Sequence, residues 1–209
     1  FPSQKVDKNE AFHYMKMAAD NGIDGAVLKL ADWLFMGINC EKNVKEAMKY
    51  FKISADKTRE PNSLFIYGYT NLRGFGGYKV DQKIGFKYIK MAADQNFPPA
   101  IKQLGNIYNE GIGVKKNEKL AADYYKKAAD LGEISAVEPY VKCLLVGKGV
   151  EKNVKEAIKY LKMGADKGDA YCNYNMGICY MRGFGVEKNH EKGMDYLRIA
   201  KEKGIEHAM

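Results

Sequence analysis

Apolar residues along this chain recur at helical spacing in short blocks, each closed by glycine or a polar cluster. In residues 100–108 the positions Ala100, Leu104, Gly105 and Tyr108 fall on one face of a helix. Gly111 then supplies the residue that can enter the left-handed region and end that helix at no steric cost. A second amphipathic block follows from Asn117, whose side chain can cap exposed backbone N–H groups, and it buries Ala121, Tyr125 and Ala128. The same pairing of a helix A with a helix B repeats along the chain. Ala47, Phe51 and Ser54, and Ala157, Leu161 and Gly164, continue the B pattern of small residues seven apart with a larger one between them. Asn43 with Glu46, Asn153 with Glu156, and Asp7 with Glu10 predict capping boxes at B-helix starts.

The period is explicit in two series. Ala-Ala-Asp or a close variant ends at Asp20, Asp56, Asp94, Asp130 and Asp166, spaced by 36, 38, 36 and 36 residues. The turns Gly111-Ile-Gly-Val-Lys-Lys-Asn117, Gly147-Lys-Gly-Val-Glu-Lys-Asn153 and Gly183-Phe-Gly-Val-Glu-Lys-Asn189 keep the same step. A fixed period of this size predicts stacked helical repeats, each burying its apolar face against its neighbours.

The pattern Ala-x3-Leu-Gly-x2-Tyr-x2-Gly-x-Gly-Val, followed by a helix ending in Ala-Ala and then Gly, resembles the Sel-1-like repeat, a relative of the tetratricopeptide repeat. The resemblance implies an all-α, right-handed superhelical solenoid of about eleven helices. It divides the chain into a partial unit at 1–24 and units at about 25–60, 61–98, 99–134, 135–169 and 170–206. The second unit departs most, with Tyr67-Gly68 for Leu-Gly and a longer turn from Gly74 to Asp81; the first has Asn39 for the second turn glycine. The longer turn predicts a local distortion. An array that starts at Phe1, inside a unit, and ends at Met209, on the opening of another, reads as a fragment of a longer solenoid.

Composition narrows the chemistry. A net charge of +8 favours acidic partners. No apolar run is long enough to span a bilayer, so no membrane insertion is expected. His13, His190 and His207 are too scattered for a metal site or a nucleophile–base pair, so no metal, cofactor or catalytic residue is expected. The Gly-x-Gly strings follow helices and recur with every unit, which makes them turns and not dinucleotide fingerprints. Some Sel-1-like proteins bridge each unit with a disulfide and have been linked to penicillin binding. Only Cys172 falls on their cysteine pattern, and its counterpart here is Ala165, so the resemblance does not carry that enzymatic association over. The four cysteines, Cys40, Cys143, Cys172 and Cys179, fit a reducing compartment. Cytoplasmic location is the expectation, with the ER lumen, where a degradation adaptor would work, as the alternative.

Lys16, Lys52, Lys90, Lys126, Lys162 and Arg198 occupy one outward position of helix B, each with an acid four residues on. That spacing predicts a solvated, locally neutralised face, and most of the tyrosines fall on core positions, so no nucleic-acid partner is expected. The resemblance implies a protein-binding scaffold whose A helices line a concave surface. Leu28, Phe35, Phe65, Tyr69, Leu72, Arg73, Tyr174 and Arg182 are the candidate partner-binding residues, the arginines facing acidic segments. Packing between adjacent A helices is the competing account of the apolar ones.

Overall fold

The structure, a computed structural model, describes residues 7–205. Among the described residues it contains eleven α-helices and no strand. They are α1 (Lys8–Asp20), α2 (Asp24–Met36), α3 (Val44–Lys57), α4 (Pro61–Arg73), α5 (Gln82–Asp94), α6 (Pro98–Glu110), α7 (Glu118–Asp130), α8 (Val137–Val146), α9 (Val154–Asp166), α10 (Ala170–Arg182) and α11 (His190–Glu202). Even-numbered helices are the A helices and odd-numbered ones the B helices. The chain divides into two compact units, Phe1–Ala100 and Ile101–Met209. None of the helices is long and apolar enough to cross a membrane.

Every A-to-B turn is closed in the same way. The helix ends on a left-handed residue, as at Gly147 with φ 82°. The backbone N–H of the next B helix's N-cap then donates back to the preceding A helix, as from Asn153 to the Leu144 carbonyl at 2.9 Å and from Asn43 to Leu34 at 2.8 Å. The N-cap side chain takes a backbone N–H three residues on, that of Glu156 or Glu46, each at 3.0 Å. This geometry corrects the expected capping boxes. The N-cap N–H is already committed to helix A, so the glutamate meets the asparagine side-chain amide instead, at 3.2 Å for Asn43–Glu46 and 3.3 Å for Asn153–Glu156. Asp7 does not reach Glu10 either; it accepts from the Asn9 backbone N–H at 2.9 Å.

The second turn glycine has a steric reason beyond its dihedral angle. A Cβ on Gly149 would lie 2.0 Å from the Glu118 carbonyl oxygen, because the turn rests on the start of the preceding B helix. Asn39 holds the equivalent place in the first turn at φ 58°, a conformation asparagine tolerates. The longer second turn folds its extra residue into a 3-10 turn at Phe75–Gly77 and still returns Asp81 N–H to the Asn71 carbonyl at 2.8 Å.

Helix pairs close tightly where the sequence is small. A Cβ on Gly105 would come within 2.5 Å of the Tyr125 ring, and one on Gly68 within 2.8 Å of the Ile89 backbone nitrogen. Where tyrosine stands for leucine, Tyr67 meets Tyr88 edge-on at 4.7 Å and Tyr140 meets Tyr160 edge-on at 4.8 Å.

On the outward face, Lys52–Asp56, Lys90–Asp94 and Lys126–Asp130 form the expected pairs four residues apart. The ends of the series differ: Lys16 pairs with Glu46 at 2.8 Å, and Arg198 with Asp195 at 3.0 Å. The aspartates also accept from a tyrosine one repeat on. Tyr50 donates to Asp20 at 2.8 Å, Tyr88 to Asp56 at 2.5 Å, and Tyr160 to Asp130. Burial acts to raise the Asp56 carboxyl, but hydrogen bonds from Lys52 and Tyr88 outweigh it and hold the group below its ordinary value. The aspartate of the recurring Ala-Ala-Asp thus joins α1 to α3, α3 to α5 and α7 to α9.

Candidate partner-binding site

Within each compact unit, consecutive A helices leave a cleft floored by the B helix between them and ended by a Gly-x-Gly turn. Two positions decide whether it is open: the residue two before the first turn glycine, and the x residue of the following turn. They lie 39 or 40 residues apart in sequence and meet across the cleft.

In the first unit the cleft between α2 and α4 is plugged. The Phe35 ring stands 5.8 Å from Phe51, edge-on, and 5.8 Å from Phe75 in the next turn. The Lys42 ammonium caps both rings, 5.8 Å from the Phe35 centroid and 5.3 Å from that of Phe75. In the second unit the cleft between α6 and α8 is bridged. Its deciding residues are Asn109 and Lys148, and the Lys148 ammonium donates to the Asn109 side-chain oxygen at 2.7 Å. About 170 Å³ is left there.

The cleft between α8 and α10 is open. Leu145 replaces Phe35 and Asn109, and Phe184 replaces Phe75 and Lys148. A leucine is too short to fill the space, and about 390 Å³ remains, lined by Leu145, Ile158, Leu161, Ile178, Arg182 and Phe184 among others. Tyr171, Asn175, Ile178 and Arg182 make one stripe along α10, at steps of four, three and four residues. The walls are mostly apolar side chains, and Phe184, the residue at the turn end, is 46 % exposed. Burial pushes the Tyr171 hydroxyl and the Cys179 thiol up, so both keep their protons at neutral pH. The same cause acts on Cys143 and Cys172. All four cysteines are free, and a suppressed thiolate makes the three buried ones poor nucleophiles.

The candidate residues read from sequence therefore scatter. Arg182 lines the open cleft, exposed. Phe35 is half-buried in its ring cluster and Leu28 half-buried on α2. Phe65 stacks on Tyr69 at 5.8 Å and meets Phe97 edge-on at 5.7 Å, leaving Tyr69 37 % exposed. Leu72 requires correction: it is 4 % exposed and closes over Gly85, where a Cβ would lie 2.5 Å from its side chain. Arg73 is exposed at the end of α4. Tyr174 is not among the residues lining the open cleft; it packs with Ile178 and Met181 on Leu197 and Ala200 of α11. Of the lining residues, the sequence candidates include Arg182 but pass over Tyr171, Ile158 and Phe184. The x residue of each Gly-x-Gly turn, which changes from Phe to Ile to Lys, was the available signal.

A family model for the Sel1 repeat matches residues 2–23, 25–58, 61–97, 98–133, 142–169 and 170–205. The chain belongs to the Sel1 repeat family. Sel1 repeat proteins are generally non-catalytic scaffolds that bind other proteins. Among solved structures, the chain is similar to c5321, a protective antigen present in uropathogenic Escherichia coli strains, at 25 % identity and a TM-score of 0.88 over 97 % of this chain and 43 % of that one. It is similar also to a Sel1 repeat protein from Oxalobacter formigenes, at 29 % identity and a TM-score of 0.87 over 96 % of this chain and 81 % of that one. Chitin synthase regulatory factor 2 of Schizosaccharomyces pombe is 28 % identical over 110 residues, covering 51 % of this chain. The match spans 21 % of that relative's own length.

Proposed function

We propose that this Sel1 repeat chain is a non-catalytic scaffold that seats a segment of a partner protein in the cleft between α8 and α10. The observation that carries the reading is the contrast among equivalent clefts: one is plugged by Phe35, one is bridged by Lys148, and this one is open and apolar. Apolar clefts of a few hundred cubic ångströms with a small number of polar groups are the common form of a binding site. A relative whose name is that of a regulatory factor supports a regulatory and not a catalytic role. Four free cysteines support work in a reducing compartment, the cytoplasm.

Leu145→Phe tests the reading, because it places in this cleft the plug the first unit carries. The variant should melt within a few degrees of the parent, as a volume change into an existing void is tolerated. It should lose the partners that the parent retains in affinity purification, while Lys90→Ala on the outward face keeps them. Retention of every partner by folded Leu145→Phe protein would end the proposal.

A further inference from the structure

We infer that the open cleft takes an extended segment of a partner in which a large apolar side chain and an acidic side chain stand two residues apart. This rests on the cleft reading above and adds the chemistry of the occupant. The apolar half follows from the walls: Leu145, Leu161 and Ile178 surround the void and Phe184 flanks it. The acidic half follows from Arg182. The lysines of α6 and α8 are committed, Lys102 to the Ser135 hydroxyl at 2.9 Å and Lys142 to Glu138 at 2.5 Å, and Lys148 in the turn after α8 donates to Asn109 at 2.7 Å. Arg182 has no hydrogen bond or ion pair among the described residues, and it borders the void. A guanidinium left uncommitted at the edge of an apolar cleft complements a carboxylate on whatever fills it.

Geometry sets the spacing. Arg182 lies one turn beyond Ile178 on α10, about 6 Å along the helix axis. Two residues of extended chain span nearly the same length and return to the same face. The whole stripe from Tyr171 to Arg182 is about 16 Å long, room for roughly five extended residues. The Gly183–Gly185 turn ends the cleft beside Arg182, but Arg182 is exposed and Val146 at the end of α8 is 75 % exposed, so a bound segment can leave toward solvent on the α8 side. The carboxylate is therefore an internal Asp or Glu side chain, with the segment continuing past it.

Nine-residue Gly/Ser peptides, blocked at both termini and carrying one Phe, supply the probe. Residue two places away, on either side, is Glu, Ser or Lys, and binding is read from amide shifts of the 15N-labelled chain. The Phe-x-Glu spacing should bind about 2- to 5-fold more tightly than Phe-x-Ser at low salt, the scale of a partly exposed ion pair. That advantage should vanish in high salt. Arg182→Glu should reverse the order, favouring Phe-x-Lys, while Leu145→Phe should remove the shifts for every peptide. Equal binding of Phe-x-Glu and Phe-x-Ser, unaltered by Arg182→Glu, would overturn the acidic preference and leave the apolar cleft standing. A preference confined to a peptide with a free C-terminal carboxylate would overturn the internal acid. Absence of shifts along α8 and α10 with any Phe peptide would overturn both this inference and the reading beneath it.

Discussion

The first cleft of unit Phe1–Ala100 and the last cleft of unit Ile101–Met209 are built from the same repeat positions and end in opposite states. Both end in a phenylalanine after the first turn glycine, Phe75 in one and Phe184 in the other. Both have an arginine just before that glycine, Arg73 and Arg182. What differs is the wall: Phe35 reaches Phe51 and Phe75, while Leu145 opposite Leu161 leaves about 390 Å³ unfilled. A repeat protein can thus open or close a cleft by one or two substitutions, because each A helix is tied to its B helix by the closed turn, and the B helices are joined by tyrosine–aspartate hydrogen bonds away from the cleft. The scaffold does not depend on the cleft being full.

Phe35→Ala should break that comparison most heavily. Removing a ring packed on two others costs its burial and its edge contacts, about 2–3 kcal/mol for a half-buried phenylalanine. Urea unfolding should show the loss as a lower midpoint at unchanged slope. Leu145→Ala, taken from a wall already open, should cost less than half as much. Equal losses at the two sites would mean that Phe35 is no plug.

Gly105→Leu addresses the part of the repeat that both clefts rely on. With the Tyr125 ring 2.5 Å from where a Cβ would sit, the added side chain must push α6 from α7, at a cost of about 1–3 kcal/mol. A variant that keeps the parent's melting temperature would remove Gly105 from the close contact.

Alkaline pH should weaken both units together. Burial, with the neighbouring Tyr78, pushes Tyr67 up to about 12, and burial likewise raises Tyr140 in the second unit. A tyrosine whose folded pKa lies above its unfolded one stays protonated in the fold while the unfolded chain ionises. Stability is therefore full below about pH 10 and falls as pH rises from there toward 12. Tyr67→Phe should blunt the fall in thermal melts across that range, and an identical fall in the variant would assign it to other groups.

The fold was legible because its signals are local and repeated: a glycine ending each A helix, a polar cap opening each B helix, and an acidic residue closing each unit. The N-cap asparagines and aspartates could be read one by one. The capping boxes were misread because the competing donor, the N-cap N–H turned back to helix A, is visible only once the turn is closed. The clefts were hidden for a different reason. Their state depends on pairs such as Phe35 with Phe75, Asn109 with Lys148 and Leu145 with Phe184, and a reading made unit by unit never sets those residues beside each other. Leu72 shows the same blindness: it shares Leu145's repeat position, but Gly85 on the facing helix leaves a hollow that takes its side chain in.

If those pairs decide, the bridged cleft can be rewritten into an open one. Asn109→Leu with Lys148→Phe gives the α6–α8 cleft the deciding residues of its neighbour. The lost hydrogen bond is between partly exposed groups, so the pair should cost less than about 1 kcal/mol. Both members go together, leaving no orphaned polar partner. The space now holding the lysine should join the existing 170 Å³ and admit an apolar side chain. Amide-shift titration with a Phe peptide should then report a second site along α6 and α8 beside the first along α8 and α10. This second site should show no preference for Glu over Ser, because Val146 stands where Arg182 stands in the original cleft. One site in the double variant, with the parent's shifts unchanged, would show that the floor and the rest of the A-helix stripe, and not these two positions, determine which cleft is open.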